Sequence, residues 1–260
     1  QRFIKMRYSA LNNVILFVFL LLSIFLTTFR LLKVPPGIET DEGTISYNAA
    51  LISKTLHDQN NRFLPFFILS RDGIDWKQPV SIYLTALFFK VFGTSLLTFK
   101  LVNVVLAFIT LLILMSVLNL LFNFKTALVG SVIFITTPMV LISARIGTEV
   151  FLPIFISTAW ILCLVLFRKH NRNIYLALSA LILGIGFYSY KGMRLIVPLW
   201  GISTVMYIFY NNFTKRATIK KKLMAQLLVF TLTIAPFFLI IPFLEQKYPG
   251  GVLDITQIHL

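Results

Sequence analysis

Cysteine and charge are both scarce in this sequence. The single cysteine, Cys163, lies in an apolar run, which excludes a disulfide framework and a thiolate metal site. Three histidines are present, but they are far apart and lack the spacing of metal ligands (His57, His170 and His259). Only 13% of the 260 residues are charged, and several runs of more than 18 residues contain no charge. These features exclude an ordinary soluble domain and indicate a polytopic membrane protein.

Apolar sequence is abundant instead, with 58% hydrophobic residues and 26 phenylalanines. Because a helix needs about 20 apolar residues to cross a bilayer, we predict about seven spans, at residues 10–29, 96–122, 126–144, 150–167, 174–190, 195–213 and 223–244. Pro138 predicts a kink in the third span. The apolar run at 79–93 is too short to cross, so we predict an interfacial helix there. The predicted fold class is all-α, a polytopic transmembrane helical bundle with amphipathic juxtamembrane helices in the first outer loop, residues 30–95.

A net charge of +15 would suggest a nucleic-acid partner for a soluble protein. Here the basic residues are spread over the loops between the predicted spans, so we expect the lipid bilayer and phosphate groups as partners and no nucleic acid. The N-terminus and the loops on its side hold 12 of the 24 basic residues, whereas all nine acids fall on the opposite side. The positive-inside rule therefore predicts a multi-pass plasma (inner) membrane protein with a cytoplasmic N-terminus and its acidic loops on the outer face.

The functional hypothesis rests on the stretch GIETDEG at residues 37–43. The apolar residues after it recur at helical spacing and predict an amphipathic helix (Ile45, Ala49, Ile52 and Leu56). We predict that Thr40 or Asp41 caps this helix, whose N-terminal dipole favours an ionised carboxylate. Asp41 is the predicted catalytic residue, because it would place negative charge at a membrane–water boundary. The alternative is a solvated acidic pair, Asp41 and Glu42, that only caps the helix.

Further polar groups fall on the same predicted face. They are Asp75, Lys77 and Tyr83 around the start of the interfacial helix, Arg145 and Glu149 in a short turn, and Tyr188, Tyr190, Lys191 and Arg194 after the fifth span. Carboxylates beside cations at a membrane surface suit a lipid-linked sugar phosphate. Lysine and arginine can bind the phosphate and stabilise the charge that grows on it as the glycosidic bond breaks. A carboxylate can take the proton from an acceptor hydroxyl or amine.

Each of these groups also has a structural alternative. Lys77 and Lys191 can anchor span ends by extending to the interface, and the tyrosines can belong to an aromatic belt. Arg145 and Glu149, four residues apart, can form a structural ion pair. An ionisable residue beside an apolar span is nevertheless costly and usually functional, which favours a role for Glu149. The remaining loop acids are interpreted as solvated charges (Asp58, Asp72 and Glu245).

The order of these motifs resembles that of GT-C-type glycosyltransferases, in particular the bacterial relatives of protein O-mannosyltransferases and of the lipid A aminoarabinose transferase. The motifs are Thr40-Asp41-Glu42-Gly43 through Tyr47-Asn48-Ala49, Leu64-Pro65, Lys77-Gln78-Pro79-Val80-Ser81-Ile82-Tyr83-Leu84, Val91-Phe92-Gly93, Ser143-Ala144-Arg145 to Glu149, and Tyr188-Ser189-Tyr190 to Arg194 and Pro198. The resemblance covers nearly the whole chain. It implies a GT-C-like fold, with residues 1–260 as the N-terminal part of one transmembrane domain whose C-terminal remainder is missing.

The resemblance implies an inverting glycosyltransferase of the cell envelope. It would move a hexosyl or pentosyl group from a polyprenyl-phosphate-linked donor to a protein, lipid or glycan acceptor on the outer face. Asp41 would be the general base or metal-organising residue, Glu42 would assist, and Glu149 would be the second acid. The donor phosphate would be bound by Lys77, Arg145, Lys191, Arg194, Tyr83 and Tyr190. Gln78 separates Lys77 from Pro79, which departs from the family's Lys-Pro motif and alters the expected position of Lys77.

Metal use varies among the branches of this family. A divalent ion (Mg, Mn or Zn) would be held by Asp41 and Glu149. The first loop contains no Asp-x-Asp motif, so we expect no obligatory metal.

Two other functions stay open at this stage, a secondary transporter or lipid flippase and a non-catalytic membrane scaffold of the same fold. Transporters usually place ionisable residues near the bilayer midplane, on broken helices. The predicted spans here are nearly free of acids, which favours the transferase. If Asp41 and Glu149 do not share a cavity, the assignment of the transferase site fails.

Overall fold

The computed structural model describes residues 2–70, 73, 75–214 and 220–253, and most of them are helical. The helices are α1 (Arg2–Thr28), α2 (Thr40–Thr55), α3 (Pro79–Phe92), α4 (Leu96–Leu121), α5 (Phe124–Thr136), α6 (Pro138–Arg145), α7 (Leu152–His170), α8 (Asn173–Phe187), α9 (Met193–Thr214), α10 (Lys220–Leu239) and α11 (Ile241–Lys247). A 3₁₀ turn at Glu149–Phe151 leads into α7. Two short strands, β1 (Ile68–Leu69) and β2 (Trp76–Lys77), pair antiparallel.

Within these ranges, four helical stretches are long and apolar enough to cross a membrane: Leu96–Leu121, Glu149–His170, Met193–Asn212 and Lys220–Lys247. The bent pair formed by α5 and α6 gives a fifth if it is counted as one span. The spans predicted at 10–29 and 174–190 correspond to shorter apolar helices, Asn12–Thr28 and Asn173–Phe187. The predicted helical transmembrane bundle is confirmed, whereas the predicted number of about seven spans is not.

The kink predicted at Pro138 is confirmed. α5 ends at Thr136 and α6 begins at Pro138, with a bend of 60° between them. Proline has no N–H to continue the helix and disfavours the helical conformation in the residue before it. Thr137 accordingly has extended backbone angles (φ −63°, ψ 125°). α6 then ends at Arg145, so this break sets where the following turn lies.

The amphipathic helix predicted after Gly43 is also observed, as α2. Ile45 and Ala49 are fully buried and pack in one cluster with Ile82 and Ala86 of α3. Leu56 instead is 46% exposed and ends the helix in a left-handed conformation. Burial of this shared apolar face fixes α2 against α3, and the first turn of α2 thereby lies near the strand that precedes α3.

The predicted cap of α2 is wrong by one or two residues. Glu39 is the N-cap residue, and the helix begins at Thr40. The Asp41 and Glu42 carboxylates therefore lie in the first helical turn, where the helix dipole still favours their ionised form.

The β1–β2 hairpin is absent from the all-α prediction. Ile68 pairs with Lys77 and Leu69 with Trp76. Strands of two residues are too short to give the alternating pattern by which a strand is recognised. The hairpin matters for function because it sets the position of Lys77 at the entrance to α3.

Two acids that we interpreted as solvated loop charges are structural instead. Asp58 is buried, forms an ion pair with Arg62 at 2.7 Å, and accepts hydrogen bonds from the Asn60 and Arg62 backbone N–H groups. Glu245 accepts from the backbone N–H groups of the segment after α11. Asp72 and Asp254 lie outside the described residues, as do two of the basic residues predicted on the cytoplasmic side (Lys215 and Arg216).

Candidate active site

A cluster of alternating charges joins three separate parts of the chain. Lys77 Nζ lies 2.7 Å from Asp41 Oδ1 and 3.2 Å from Asp75 Oδ2. Lys191 forms an ion pair with the other oxygen of Asp75. We call Asp41, Asp75, Lys77 and Lys191 the ion-pair cluster. It connects the first turn of α2, the hairpin and the turn before α9, which are far apart in sequence.

Lys77 is the centre of this cluster and is 8% exposed. Burial alone would lower the pKa of its ammonium group. The hydrogen bond to Asp41 and the negative charges of Asp75, Asp41 and Glu149 outweigh burial, so the pKa of Lys77 is raised above its ordinary value of 10.5. Lys77 is therefore a permanent cation over the physiological pH range. An ammonium group has three donors; one is hydrogen-bonded to Asp41, and Asp75 is an ion-pair partner, so donor capacity remains for a substrate.

Asp41 is the accessible acid of the cluster. Its side chain is 52% exposed, and Lys77 binds only its Oδ1 atom. Within the described ranges, Asp41 Oδ2 has no hydrogen-bond partner. A carboxylate with one oxygen held by a cation and the other open to solvent is placed to accept a proton from a bound acceptor.

Glu149 lies beside the same cluster, at the start of the 3₁₀ turn. Its negative charge helps to raise the pKa of Lys77, and the charges of Asp41 and Asp75 act in turn on the Glu149 carboxyl. The structural ion pair considered for Arg145 and Glu149 does not form. Among the described residues, no nitrogen of Arg145 lies within 4.0 Å of a carboxylate oxygen of Glu149. The structure therefore brings Glu149 towards Asp41 and not towards Arg145.

Glu42 occupies a different environment from its neighbour Asp41. It is 2% exposed, and its Oε1 atom accepts from the Gly147 N–H at 2.6 Å and from Lys100 Nζ at 3.4 Å. Its Oε2 atom accepts from the Glu39 N–H at 3.0 Å. Both oxygens are thus committed to protein donors. The geometry indicates a positioning role, in which Glu42 ties α2 to the turn at residues 146–148.

Lys100 and Asn103, both on α4, complete this buried polar network. Lys100 has no exposed surface, and Asn103 donates to the Ile146 and Thr148 carbonyls at 2.5 and 2.8 Å. The turn also fits closely against the Phe99 ring, because a Cβ added to Gly147 would lie 2.2 Å from a ring atom. These contacts fix the turn immediately before Glu149. Sequence analysis missed Lys100 and Asn103, although a lysine within the apolar run of α4 is costly to bury and by itself indicates a specific role.

The side chains of the two predicted arginines bind backbone carbonyls of other chain segments. Arg145 donates to the Leu26 and Phe29 carbonyls at 2.6 and 3.0 Å, and so holds the end of α1. Arg194 is 9% exposed and donates to the Gly251 and Val252 carbonyls at 2.6 and 2.8 Å. Both arginines hold segments of the chain together. The Arg194 backbone N–H also donates to the Lys191 carbonyl at 3.1 Å.

The predicted tyrosines also make specific contacts. Tyr83 donates to the Pro65 carbonyl at 2.6 Å, and Tyr188 is buried and donates to the Phe237 carbonyl at 2.6 Å. Tyr190 packs against the same core cluster as Tyr188. Burial of the Tyr83 hydroxyl, with the charges of Tyr248 and Asp58, raises its pKa to about 12, so this residue stays a hydrogen-bond donor.

An apolar groove of about 440 Å³ lies between α3, α8 and α10. Side chains of α3, α8 and α10 line it together with the segments beside them: Phe66, Pro79, Val80, Tyr83, Ile185, Tyr188, Pro236, Phe237 and Ile240. Pro79 and Val80 follow Lys77 closely in sequence, and Tyr188 precedes Lys191 by three residues. Residues close in sequence to both lysines of the cluster therefore contribute to the groove.

The residues of this site do not fit a resident divalent metal. In the part of the chain that the structure describes, no three His, Cys, Asp or Glu side chains converge as metal ligands. Lys77 Nζ lies at hydrogen-bond distance from both Asp41 and Asp75, and its charge would repel a cation at that position.

The fold and the cluster together define a helical membrane protein with a carboxylate–lysine site between the start of α2 and the start of α3. The sequence profile of the family described as dolichyl-phosphate-mannose-protein mannosyltransferase matches residues 77–241. The chain belongs to this family. Lys77 is the first residue of the match, and Asp41 precedes it.

The fold is also similar to a solved structure, the crystal structure of ArnT from Cupriavidus metallidurans in the apo state. The TM-score is 0.58 and the identity 13%, and the match covers 98% of this chain and 45% of that chain. At this identity the likeness shows the fold alone. The chain thus spans less than half the length of that protein. A search among curated proteins found no match.

Proposed function

We propose that this chain acts in a membrane glycosyltransferase, which transfers a sugar from a polyprenyl-phosphate-linked donor to an acceptor at the outer face of the plasma membrane. The observation that supports this most directly is the ion-pair cluster, whose Lys77 and Lys191 are close in sequence to residues that line an apolar groove. A lipid-linked sugar phosphate needs an apolar surface for its chain and cations for its phosphate. The confinement of all nine acids to one predicted face supports the outer location.

The proposed reaction is a single displacement. Asp41 takes the proton from the acceptor hydroxyl or amine, and the acceptor atom forms a bond to the anomeric carbon. The C–O bond to the phosphate breaks, and its electron pair leaves on the polyprenyl phosphate. Attack and departure occur on opposite sides of the anomeric carbon, so its configuration inverts.

The cluster lysines would stabilise the leaving group. Negative charge grows on the phosphate as the glycosidic bond breaks, and fixed cations at that position lower the barrier. Lys77 has donor capacity beyond its hydrogen bond to Asp41 and can bind a phosphate oxygen. A phosphate is a good leaving group and needs no general acid. Glu149 would act on Lys77 through its charge, and Glu42 through the turn that it holds.

The transporter alternative finds less support. The buried ion pair in a described span joins Lys100 to Glu42, and it is tied to backbone groups of a fixed turn. Lys100 belongs to the second turn of α4 and does not lie at the middle of that helix. Such a pair is more typical of a structural link between helices than of a transport site that is exposed alternately to the two sides of the membrane.

Replacing Lys77 by glutamine tests the donor site. In liposomes supplied with radiolabelled polyprenyl-phosphate sugars, we expect Lys77→Gln to lower kcat by about 10²-fold, the usual cost of removing one donor that stabilises transition-state charge. The matched control is Lys90→Gln, which removes an exposed lysine from the last turn of α3 and should leave kcat unchanged. Equal rates for both variants would place the donor phosphate elsewhere. If the wild-type protein turns over none of the donors, the proposed function is refuted.

Metal removal gives an independent prediction. Because Lys77 takes the place between Asp41 and Asp75 that a cation would need, donor turnover should be the same before and after treatment with EDTA. If turnover is lost in EDTA and restored by Mg²⁺, Mn²⁺ or Zn²⁺, the ion-pair cluster alone is not sufficient for donor turnover.

A further inference from the structure

A second cavity, polar in character, opens beside the first turn of α2. Its volume is about 820 Å³, within the range of roughly 300–1,000 Å³ that is typical of small-molecule sites. The side chains that surround it are Glu39, Thr40, Thr44, Tyr47, Gln59 and Asn60. It shares no lining residue with the apolar groove. The ion-pair cluster uses none of these residues.

Helix geometry places this cavity next to Asp41. Successive residues of an α-helix are rotated by about 100°, so Thr40, Thr44 and Tyr47 share one face of α2. Asp41 lies about 60° around the helix from Thr44, between the cavity face and the buried face that contains Ile45. Asp41 does not itself line the cavity, but its half-exposed carboxylate lies at the edge of this helix face, next in sequence to Thr40, while Lys77 binds its Oδ1 atom.

The opposite wall of the cavity is held in place by the fold. Asn48 of α2 and Gln59 form two hydrogen bonds, from the Gln59 N–H at 3.0 Å and from Asn48 Nδ2 at 3.3 Å. Gln59 Nε2 also donates to the Leu69 carbonyl of β1 at 2.8 Å. The buried Asp58–Arg62 ion pair braces the same loop. A wall fixed at both ends loses little conformational entropy when a ligand binds.

The groups that face the cavity are suited to hydroxyl-bearing ligands. The threonine hydroxyls and the amides of Gln59 and Asn60 both donate and accept hydrogen bonds. Tyr47 is 57% exposed and presents an aromatic ring with a polar tip. In the described part of the chain, the Tyr47 hydroxyl and the Asn60 side-chain amide have no protein partner. A ring of this kind packs on the C–H face of a sugar, and the surrounding amides and hydroxyls match its hydroxyl groups.

The charge of the cavity excludes an anionic ligand. None of the described residues that line it is Lys or Arg, and Glu39 contributes a carboxylate. A phosphate or carboxylate group on the ligand would lose hydration and find no cation to replace it. We therefore propose that this cavity is the acceptor subsite and that it takes an uncharged saccharide, a proposal that rests on the transferase function above. The sugar hydroxyl nearest Asp41 would receive the transferred group.

Direct binding tests the proposal without any donor. The protein in nanodiscs would be titrated with neutral trisaccharides built from glucose, mannose, galactose or N-acetylglucosamine, and separately with glucose 1-phosphate and a Ser/Thr-rich peptide. We expect at least one neutral trisaccharide to bind, and the other probes to bind more weakly. Tyr47→Ala should weaken that binding by about tenfold, as expected for an aromatic anchor, whereas Tyr47→Phe should retain it. Thr55→Ala, an exposed position in the last turn of α2, is the control.

The outcomes separate this proposal from the proposed function. Failure of all neutral trisaccharides to bind, tighter binding of the anion or the peptide, or equal affinity in Tyr47→Ala would each overturn the saccharide subsite. Such a result leaves the transferase intact if donor turnover depends on Lys77. Saccharide binding that depends on Tyr47, without turnover of any donor, would refute the transferase and leave a saccharide-binding cavity.

Discussion

Replacing Asp41 by asparagine is expected to abolish most transferase activity, with a loss of at least about 10²-fold, since general-base catalysis typically contributes about 10²–10⁴-fold. An amide oxygen can still accept the hydrogen bond that Lys77 donates to Asp41 Oδ1 at 2.7 Å, so the position of Lys77 should change little. An amide cannot take up the acceptor's proton. The variant should therefore bind donor and acceptor and fail in the chemical step. The measurement is sugar transfer or donor hydrolysis in liposomes, at equal amounts of folded protein.

The control for Asp41→Asn lies on the same helix. Lys54→Gln removes one exposed charge from the last turn of α2 and should leave transfer unchanged. The kinetic constants separate the two roles of Asp41, because loss of a base lowers kcat and loss of a positioning contact raises KM for the acceptor. If Asp41→Asn retains wild-type kcat, Asp41 serves the first turn of α2 and its salt bridge, and the base must be sought at Glu149 or Asp75.

The second large effect concerns stability. Lys100→Met leaves the buried Glu42 carboxylate without its cation, and breaking a buried pair from one side typically costs about 3–5 kcal/mol. Glu42 would keep the N–H donors of Glu39 and Gly147, so we expect the lower end of that range. The free energy of unfolding in lipid nanodiscs, followed by a denaturant titration, measures this loss. Transfer should fall as well, because the turn before Glu149 depends on the same network.

A double-mutant cycle isolates the pair. Lys100→Met combined with Glu42→Gln removes both charges, and this variant should recover part of the stability that Lys100→Met loses. Lys125→Met, at an exposed lysine in the first turn of α5, should change the free energy of unfolding by less than about 0.5 kcal/mol. If the effects of Lys100→Met and Glu42→Gln on the free energy of unfolding are additive, the two side chains are not coupled. That result would contradict the structural ion pair proposed for them.

Local signals in the sequence predicted several features correctly. Apolar runs and their lengths predicted the long helices, because a bilayer-spanning helix must be apolar over about 20 residues whatever its neighbours are. Pro138 predicted the break between α5 and α6, since the missing N–H acts on the adjacent turn. Periodic apolar residues predicted α2 and its buried face. The same reasoning drew attention to Asp41, Lys77 and Lys191, which the fold brings together; their catalytic roles stay predictions.

Partners distant in the chain could not be predicted in this way. Asp41 and Glu42 are adjacent in sequence and have the same chemistry, yet one is half-exposed beside Lys77 and the other is buried against Lys100 and Gly147. A helix rotates successive side chains by about 100°, so which carboxylate faces solvent depends on what packs against α2. Arg145 and Arg194 resembled phosphate ligands, but backbone carbonyls of other segments bind them.

The sequence by itself determined that this protein is a helical membrane protein with an acidic first loop, because apolar length, proline positions and helical periodicity act within a few turns of the chain. Only the tertiary structure decided which charges meet, because salt bridges and buried hydrogen bonds join residues separated by 36 to more than 100 positions. Packing of α2 on α3 and of the 146–148 turn on α4 sets those distances. That packing separates the ion-pair cluster from the buried Lys100–Glu42 pair and leaves the Asp41 carboxylate half-exposed.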